Sequence, residues 1–228
     1  MGHLHALKYI VEERLMTALM LEDDADWDIE IKKQLFLVAP HIRAITNSTS
    51  SRGQPQPYGS AWDLLWVGHC GDDVPQTGVV SIFDNTLPED GAYRENTGEY
   101  IMLSPEPQRR LIHISEGPIC TYAYAVTGSA ARKIYEYAKG GVDDIITVYL
   151  RRWCRAGFLV CVTINPELFH HHKKAGKRSS EIAAWEGWEA LSAPSEVEYT
   201  ANIRYSARCN ANSTVLVSCR HESGRVDA

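Results

Sequence analysis

The pattern of hydrophobic and polar positions predicts a helix, a strand and a second helix near the start of the chain. Residues 3–14 repeat apolar side chains at the three- and four-residue spacing of an amphipathic helix. Residues 16–21 (MTALML) form an uninterrupted apolar run, which is typical of a strand buried in a sheet. Asp26 or Asp28 suits the N-cap of the second helix, and Pro40 is expected to end it.

The rest of the chain continues to alternate strand-like and helix-like segments. Strands are predicted at residues 62–68, 79–83, 111–114, 121–127 and 158–164, and helices at residues 128–137 and 143–155. Residues 72–109 are interpreted as an insertion over the sheet. The alternation predicts an α/β fold with a mixed sheet flanked by helices.

The last third of the chain has weaker patterns. From Pro166 onward the sequence is expected to be loop-like, including the run of histidines and lysines at residues 170–174. Residues 187–228 lack clear periodicity, so we expect a C-terminal tail that is loosely packed or partly disordered. The sequence therefore predicts one α/β domain over residues 1–186 and a tail over residues 187–228.

Composition excludes two broad classes of protein. The 228 residues are 44% hydrophobic and 23% charged, as in an ordinary globular protein. The formal net charge of −6 and the absence of a long basic stripe argue against a nucleic-acid partner. No apolar run approaches the roughly 18 residues that a membrane span needs, so no membrane segment is predicted.

Cysteines and sequons bear on the compartment, which the sequence leaves unknown. The chain has six cysteines and no CxxC pair, so a zinc knuckle is not expected. The triplets 47–49 and 212–214 match the glycosylation sequon. Both features lean toward a secretory (Golgi or ER) lumen over the cytoplasm, although residues 1–15 lack a signal-peptide core and no anchor is visible.

An acidic cluster, Glu22-Asp23-Asp24, follows the first predicted strand directly. These acids would also suit a solvated turn that favours the next helix N-terminus. However, ligands of α/β sheets bind beyond the carboxyl ends of strands, and three carboxylates held together favour a bound cation. Because side chains alternate along a strand, Glu22 and Asp24 are expected to share one side, with Asp24 binding a metal and Glu22 supporting it.

A histidine run, residues 170–172, precedes a cluster of basic residues. It could be a chance histidine-rich loop or a simple anion patch. A metal-bound diphosphate, however, needs an imidazole ligand for the metal and cations for the phosphate oxygens. The candidate cations are Lys174, Lys177 and Arg178.

Asp143 and Asp144 follow two glycines at the start of a predicted helix. N-capping explains one of them. The other is then a candidate general base that points into a cleft. The aromatic residues Trp62, Trp66, Tyr122 and Tyr124 are interpreted as core more readily than as a sugar-stacking platform, because they lie at strand spacing.

Several short segments occur together in a recognisable order. They are GHLH at residues 2–5, LEDDA at residues 21–25, WDLLWVGHCG at residues 62–71, TYAYAV at residues 121–126 and GSAA at residues 128–131, followed by the Asp143-Asp144 helix, PELF at residues 166–169 with the histidine run, and SSEI at residues 179–182. In this order they resemble glycosyltransferase family 25, which contains lipopolysaccharide-type and collagen galactosyltransferases, and its fungal branch in particular. The resemblance covers roughly residues 2–186.

This resemblance implies a GT-A fold and a specific reaction. The implied activity is the inverting, Mn²⁺- or Mg²⁺-dependent transfer of a sugar, commonly galactose, from a UDP-sugar donor to a hydroxyl acceptor on a glycan or protein. It assigns Asp24 as the best metal ligand within the DxD-type motif Glu22-Asp23-Asp24. It also implies a late metal or phosphate contact from the histidine run, where His172 is favoured, and Asp143 or Asp144 as the base.

The resemblance also raises an alternative. Members of the family carry an N-terminal strand and loop before the segment at residues 2–5, and this unit helps to hold the nucleotide. The chain is therefore expected to be N-terminally truncated, as a fragment or through a mispredicted start, or else to bind the donor poorly. The alternative to an active transferase is thus a catalytically impaired sugar- or nucleotide-binding remnant of the family. A metal-dependent phosphoester hydrolase is a further alternative, but it would want a denser set of Asp and His ligands.

Overall fold

The computed structural model describes residues 2–48, 56–88, 108–141, 145–177 and 194–217. The elements in chain order are α1 (Gly2–Glu12), β1 (Thr17–Leu21), β2 (Ala25–Trp27), α2 (Ile31–Ile45), β3 (Leu64–Gly68), β4 (Val80–Phe83), β5 (Arg109–Ile114), β6 (Ala123–Thr127), α3 (Gly128–Ala138), α4 (Ile146–Arg155), β7 (Cys161–Asn165), β8 (Phe169–Lys173), β9 (Tyr199–Thr200) and α5 (Ala207–Asn210). The predicted alternation of helices and strands is confirmed between β3 and β7.

Six strands form the main sheet in the order β1-β6-β3-β7-β5-β4. Strands β3 and β7 are parallel, and the other neighbouring pairs are antiparallel. The prediction of a mixed sheet is therefore confirmed. Because β1 and β3 both run opposite to β6, and β7 runs with β3, the carboxyl ends of β1, β3 and β7 meet at one edge of the sheet.

Both faces of the main sheet are covered, which explains the continuous apolar runs. In β3, Leu64 and Trp66 face a core built with α1, α3 and α4. Leu65 and Val67 alternate to the opposite face, where α2 and part of β8 pack. All four side chains are almost fully buried, so the sheet lies between two hydrophobic layers.

A second, three-stranded sheet has the order β2-β8-β9. The prediction that the segment after Pro166 is a loop was wrong, because the histidine run lies in strand β8. Its backbone pairs with β2 through Ala25 opposite His171, and with β9 through His172 opposite Thr200. These partners are distant in sequence, so a polar strand of this kind has no local signature.

Strand β1 differs from the buried strand that its composition predicts. It lies at the edge of the main sheet and pairs with β6 alone. Leu19 and Leu21 keep 47% and 45% of their surface exposed. A cavity of about 450 Å³ with mostly apolar walls lies over β1, β3 and β6 beside α2, so this face of the strand is incompletely covered.

Helix α2 passes the proline that was expected to end it. Pro40 lies inside the helix, which continues to Ile45 and has Glu30 at its N-cap rather than Asp26 or Asp28. Proline removes one helical hydrogen bond. The last turn, however, places Ile42 fully buried against the main sheet, and that burial offsets the loss.

The described part of the C-terminal segment, residues 194–217, also differs from the expected loose tail. It contains β9 and α5 and packs against β2 and β8. Thr200 and Ser206 are fully buried, and both donate hydrogen bonds to Asp26. These contacts join residues more than 170 positions apart, which periodicity in the sequence does not reveal.

Two features bear on the environment in which the chain folds. Disulfides join Cys70 to Cys120 and Cys154 to Cys161, and Cys209 is disulfide-bonded as well, so no described cysteine is free. Disulfides of this kind persist in oxidising compartments. Within the described ranges, none of the helices combines the length and the apolarity that crossing a bilayer requires.

The N-terminus of α3 provides a first prediction about stability. Thr127 is the N-cap, and its hydroxyl accepts a hydrogen bond of 3.2 Å from the backbone N–H of Ala130. We expect Thr127→Ala to lower the free energy of unfolding by about 1 kcal/mol, because this helical N–H then loses its partner. Urea denaturation measures the change. Thr77→Ala, at an exposed turn, is the control, and an equal loss in both variants would contradict the capping role.

Candidate functional site

The acidic cluster forms the turn between the two sheets. Strand β1 ends at Leu21, and the backbone N–H of Ala25 donates to the carbonyl of Glu22 at 3.1 Å, which closes the turn. Glu22 and Asp24 are partly buried, whereas Asp23 is exposed. The two partly buried carboxyls therefore sit where β1 ends, at the edge of the main sheet.

Glu22 is held from two sides. Its Oε1 accepts a hydrogen bond of 2.6 Å from the hydroxyl of Thr121, and Nε2 of His3 lies 4.0 Å away. Burial raises the pKa of Glu22, the Thr121 hydroxyl opposes this, and the charge of Asp23 adds to the increase, so the pKa lies above its usual value. A cation nearby would stabilise the ionised form.

Asp24 is in a similar electrostatic position but lacks a comparable hydrogen bond. Its Oδ1 is buried and has no hydrogen-bond partner among the described residues. Burial and the charges of Glu22 and Asp23 raise the pKa of Asp24, and the nearby Arg208 only partly opposes them. A buried, unpartnered carboxylate oxygen beside another acid is suited to bind a cation.

Asp26, by contrast, has a structural role. Its Oδ2 accepts hydrogen bonds from the hydroxyls of Thr200, at 2.5 Å, and Ser206, and its Oδ1 accepts from the backbone N–H of Trp27 at 2.8 Å. Asp26 is fully buried. Its carboxylate therefore ties β2 to the C-terminal segment.

The pairing of β2 with β8 brings the acidic turn against the histidine run. The backbone N–H of His172 donates to the carbonyl of Asp24 at 2.8 Å, and His171 lies opposite Ala25. The two groups of candidate residues are therefore in contact although about 150 residues separate them. We call Glu22, Asp24 and the three histidines of residues 170–172 the acid–imidazole cluster.

The three imidazoles of this cluster are not equivalent. Both ring nitrogens of His172 face polar groups: Nδ1 lies 2.9 Å from the Thr200 hydroxyl, and Nε2 lies 3.8 Å from Oε2 of Glu198. In His170 and His171, Nε2 is buried and has no hydrogen-bond partner in the part of the chain that the structure describes. His172, which the resemblance favours, thus has less capacity for a ligand than His170 or His171.

His171 is held in the neutral form. Burial, followed by electrostatic interactions with His170, Lys173 and His172, lowers its pKa to about 2. A neutral imidazole with an unpartnered nitrogen is the form that binds metal ions. Tyr122 makes T-shaped contacts with both rings, with centroid separations of 5.1 Å to His170 and 4.7 Å to His171.

Glu167 lies beside the acid–imidazole cluster and contacts His170. It is buried and its Oε1 accepts hydrogen bonds from Nδ1 of His170 at 2.7 Å and from the Asn202 amide at 2.8 Å. Burial alone would raise the pKa of Glu167, but the hydrogen bond and electrostatic interaction with His170, together with His69 and Asn202, outweigh it and lower the pKa. Glu167 is therefore ionised at neutral pH.

Unpartnered buried atoms are concentrated at this position. Of nine such side-chain atoms among the described residues, five belong to Asp24, Glu167, His170, His171 and Asn202. Buried polar atoms are normally hydrogen-bonded, so this concentration indicates a place for a bound ligand. Within the described ranges, no three His, Cys, Asp or Glu side chains are arranged to hold a metal ion alone. A cation here would need further ligands, which substrate phosphates supply to Mg²⁺ in many enzymes.

Comparison with protein-family models gives no match to this chain, and comparison with curated protein sequences gives none either. Evidence for a function of this protein therefore comes from the geometry of the acid–imidazole cluster. The apolar cavity beside α2 lies over the first half of β1, away from the acidic turn, and does not contribute polar groups of this kind.

The remaining predicted site residues fall into two groups. Lys174 and Lys177 lie exposed on the turn that follows β8, close in sequence to the cluster. Arg178, Asp143 and Asp144 lie outside the described residues. The roles of all five stay predictions.

The structure adds residues that the sequence pattern does not reveal. Arg208 donates hydrogen bonds to the carbonyls of Asp23 at 2.7 Å and Ala25 at 3.0 Å, so it braces the acidic turn. Thr121 and Tyr122, which directly precede β6, contact the acids and imidazoles. Tyr122 is buried, as predicted for a core residue, but its ring contacts the cluster. Each lies far in sequence from its partners, which is why spacing gave no signal.

Proposed function

We propose that this protein is a metal-dependent glycosyltransferase of the GT-A type, related to glycosyltransferase family 25, that transfers a sugar from a UDP-sugar to a hydroxyl acceptor. Three observations support the proposal: the order of the family-like segments, the α/β fold with a mixed sheet, and the acid–imidazole cluster at the edge of that sheet. The reaction is expected to invert the anomeric centre, and galactose is the expected sugar.

The pairing of β2 with β8 is the observation that carries this proposal. It joins the DxD-type turn, through the bond from the His172 N–H to the Asp24 carbonyl, to imidazoles whose Nε2 atoms have no hydrogen-bond partner in the described ranges. A solvated strand-to-helix turn would need no such neighbours, and its acids would be exposed. The partial burial of Glu22 and Asp24 therefore favours a binding role over that simpler interpretation.

A Mn²⁺ or Mg²⁺ ion is the proposed ligand of this cluster. Asp24 would hold it through Oδ1, and Nε2 of His170 or His171 would complete the protein's share of the ligands, since these atoms have no hydrogen-bond partner among the described residues. When bound, the ion supplies positive charge that stabilises the departing diphosphate. Glu22 orients the acidic turn through Thr121, and Lys174, Lys177 and Arg178 are the proposed cations for the phosphate oxygens.

The acceptor side of the reaction requires a base. Asp143 or Asp144 is the proposed group that takes the proton from the acceptor hydroxyl as the oxygen attacks the anomeric carbon opposite the leaving UDP. The acceptor is proposed to be a glycan or protein hydroxyl. Because the described cysteines are disulfide-bonded, we also propose that the protein works in the lumen of the secretory pathway.

Binding of UDP with and without Mn²⁺ tests this function. We expect isothermal titration calorimetry to show UDP binding that depends on Mn²⁺, because the diphosphate and the ion complete each other's coordination. Titration of Mn²⁺ alone should give much weaker binding. AMP is the control ligand, since its single phosphate cannot form the same chelate.

The outcomes separate the alternatives. Absence of UDP binding at any Mn²⁺ concentration would refute the transferase. Metal-dependent UDP binding without turnover of any UDP-sugar would instead indicate a non-catalytic nucleotide-binding remnant of the family. Release of inorganic phosphate rather than UDP would indicate a phosphoester hydrolase.

A further inference from the structure

The hydrogen bond between Glu167 and His170 determines which nitrogen of His170 is free. Both residues are almost fully buried, and Oε1 of Glu167 lies 2.7 Å from Nδ1 of His170. The same oxygen accepts a hydrogen bond from the Asn202 amide, so it acts as an acceptor and Nδ1 carries the proton of this contact. The nitrogen left without a partner among the described residues is therefore Nε2.

Glu167 is itself held by the main sheet. The guanidinium of Arg110, on β5, donates to the carbonyl oxygens of Pro166 at 2.5 Å and Glu167 at 3.2 Å. The next residue, Leu168, donates its backbone N–H to the carbonyl of Val67 at the end of β3, at 2.7 Å. The backbone that carries Glu167 is thus fixed to the main sheet, while the imidazole that its carboxylate contacts belongs to the small sheet.

The C-terminal segment fixes the same carboxylate from the other side. Asn202 follows β9 and donates its amide to Oε1 of Glu167 at 2.8 Å. The ring of His170 also makes a T-shaped contact with the ring of Tyr122. Rotation of the ring would break the Glu167 bond and disturb the Tyr122 contact, so its orientation is set on two sides.

We infer that Glu167 is the positioning residue of the proposed donor site: it holds the His170 ring so that Nε2, rather than either nitrogen of His172, faces the diphosphate or its metal ion. This inference rests on the proposed function. A carboxylate that accepts from the far nitrogen of an imidazole is the usual partner of a metal-binding histidine. His172 lacks this arrangement, because its Nδ1 meets a hydroxyl and its Nε2 lies near Glu198.

The test compares Glu167→Gln with Glu198→Gln. Both substitutions remove one charge without changing shape, but only the first alters the partner of His170. We expect Glu167→Gln to weaken Mn²⁺-dependent UDP binding by about 10- to 100-fold in calorimetry, as loss of such a partner does at metal sites. Glu198→Gln should keep the wild-type affinity. Long-range ¹H–¹⁵N NMR of the ligand-free proteins should show the Nδ1–H tautomer of His170 in the wild type and lose it in Glu167→Gln.

Each outcome has a distinct meaning. Wild-type UDP affinity in Glu167→Gln, or an equal loss in Glu198→Gln, would overturn the positioning role, as would an Nε2–H tautomer in the wild type. A purely structural role would lower the free energy of unfolding of Glu167→Gln and leave the UDP affinity of the folded fraction unchanged. Failure of the proposed function appears differently, as absence of UDP binding in the wild type.

Discussion

Asp24→Ala is expected to reduce UDP-sugar turnover to background, a loss of about 10³-fold or more, because the carboxylate is the proposed ligand of the metal ion that would stabilise the leaving diphosphate. The substitution removes the one described side chain of the acidic turn that is both partly buried and unpartnered at Oδ1. Release of UDP, measured with saturating Mn²⁺, follows the reaction. The same variant should lose metal-dependent UDP binding in calorimetry.

The fold should survive this substitution. The Asp24 contact to His172 uses the backbone carbonyl, which alanine retains. Since burial and neighbouring acids raise the pKa of Asp24, its ionised form opposes folding at neutral pH. We therefore expect the free energy of unfolding of Asp24→Ala to equal or exceed that of the wild type. Asp73→Ala, at an exposed position in a neighbouring loop, is the control for loss of an acid. Metal-dependent turnover at the wild-type rate in Asp24→Ala would contradict the site.

Arg110→Met is expected to lower the free energy of unfolding at pH 7 by about 3–5 kcal/mol, because it leaves a buried carboxylate without its partner. The Nε of Arg110 lies 2.7 Å from Oδ2 of Asp84, and both side chains are almost fully buried. The same guanidinium holds the carbonyls of Pro166 and Glu167, so the variant also loosens the segment before β8. Urea denaturation measures the loss. Lys8→Met, which breaks the exposed pair with Glu12, is the control and should have little effect.

The effect of Arg110→Met should depend on pH in a defined direction. Burial raises the pKa of Asp84, but the charge of Arg110 and the Thr86 hydroxyl outweigh it, so the pKa in the folded wild type lies below 3.8. The stabilisation is therefore complete above that value and is lost as the pH falls through the lowered pKa. In the variant, the Asp84 carboxylate is buried without the charge of Arg110, so protonation of Asp84 removes the free-energy cost of burying an unpaired charge. The difference in the free energy of unfolding between wild type and Arg110→Met should become smaller from pH 7 to pH 3. A difference that does not change with pH would contradict the assignment of the effect to the Asp84–Arg110 pair.

The proposed site combines parts that differ in how visible they are in the sequence. The turn at Glu22–Asp24 could be predicted, because an apolar strand that ends in acids is a local pattern. The histidine run was also a local pattern, but its conformation was not, because β8 is held by β2 and β9. Glu167 lies in the family-like segment PELF, but no sequence pattern indicated its role, since that role arises from contacts with Arg110, Asn202 and His170.

The choice among the three histidines shows the same limit. In the sequence the three histidines are adjacent and cannot be distinguished, and the family resemblance favours His172. Hydrogen bonds distinguish them: Thr200 and Glu198 lie at the nitrogens of His172, whereas Nε2 of His170 and Nε2 of His171 have no partner in the described ranges. Thr200 and Glu198 belong to the segment that was expected to be a loose tail. Which of the three histidines can bind a ligand thus depends on the C-terminal segment, whose sequence has no clear periodicity.

The sequence by itself determined the α/β class and most of the strands and helices between β3 and β7, because burial on both faces imposes apolar runs and helical spacing that are visible locally. It also determined the chemistry available, acids at one position and imidazoles with cations at another. The tertiary structure alone decided that β1 is an edge strand, that α2 continues past Pro40, and that the histidines form a strand against the acidic turn. The reason is that strand pairing and side-chain hydrogen bonds join residues distant in the chain, and no local pattern encodes which distant partner will be chosen.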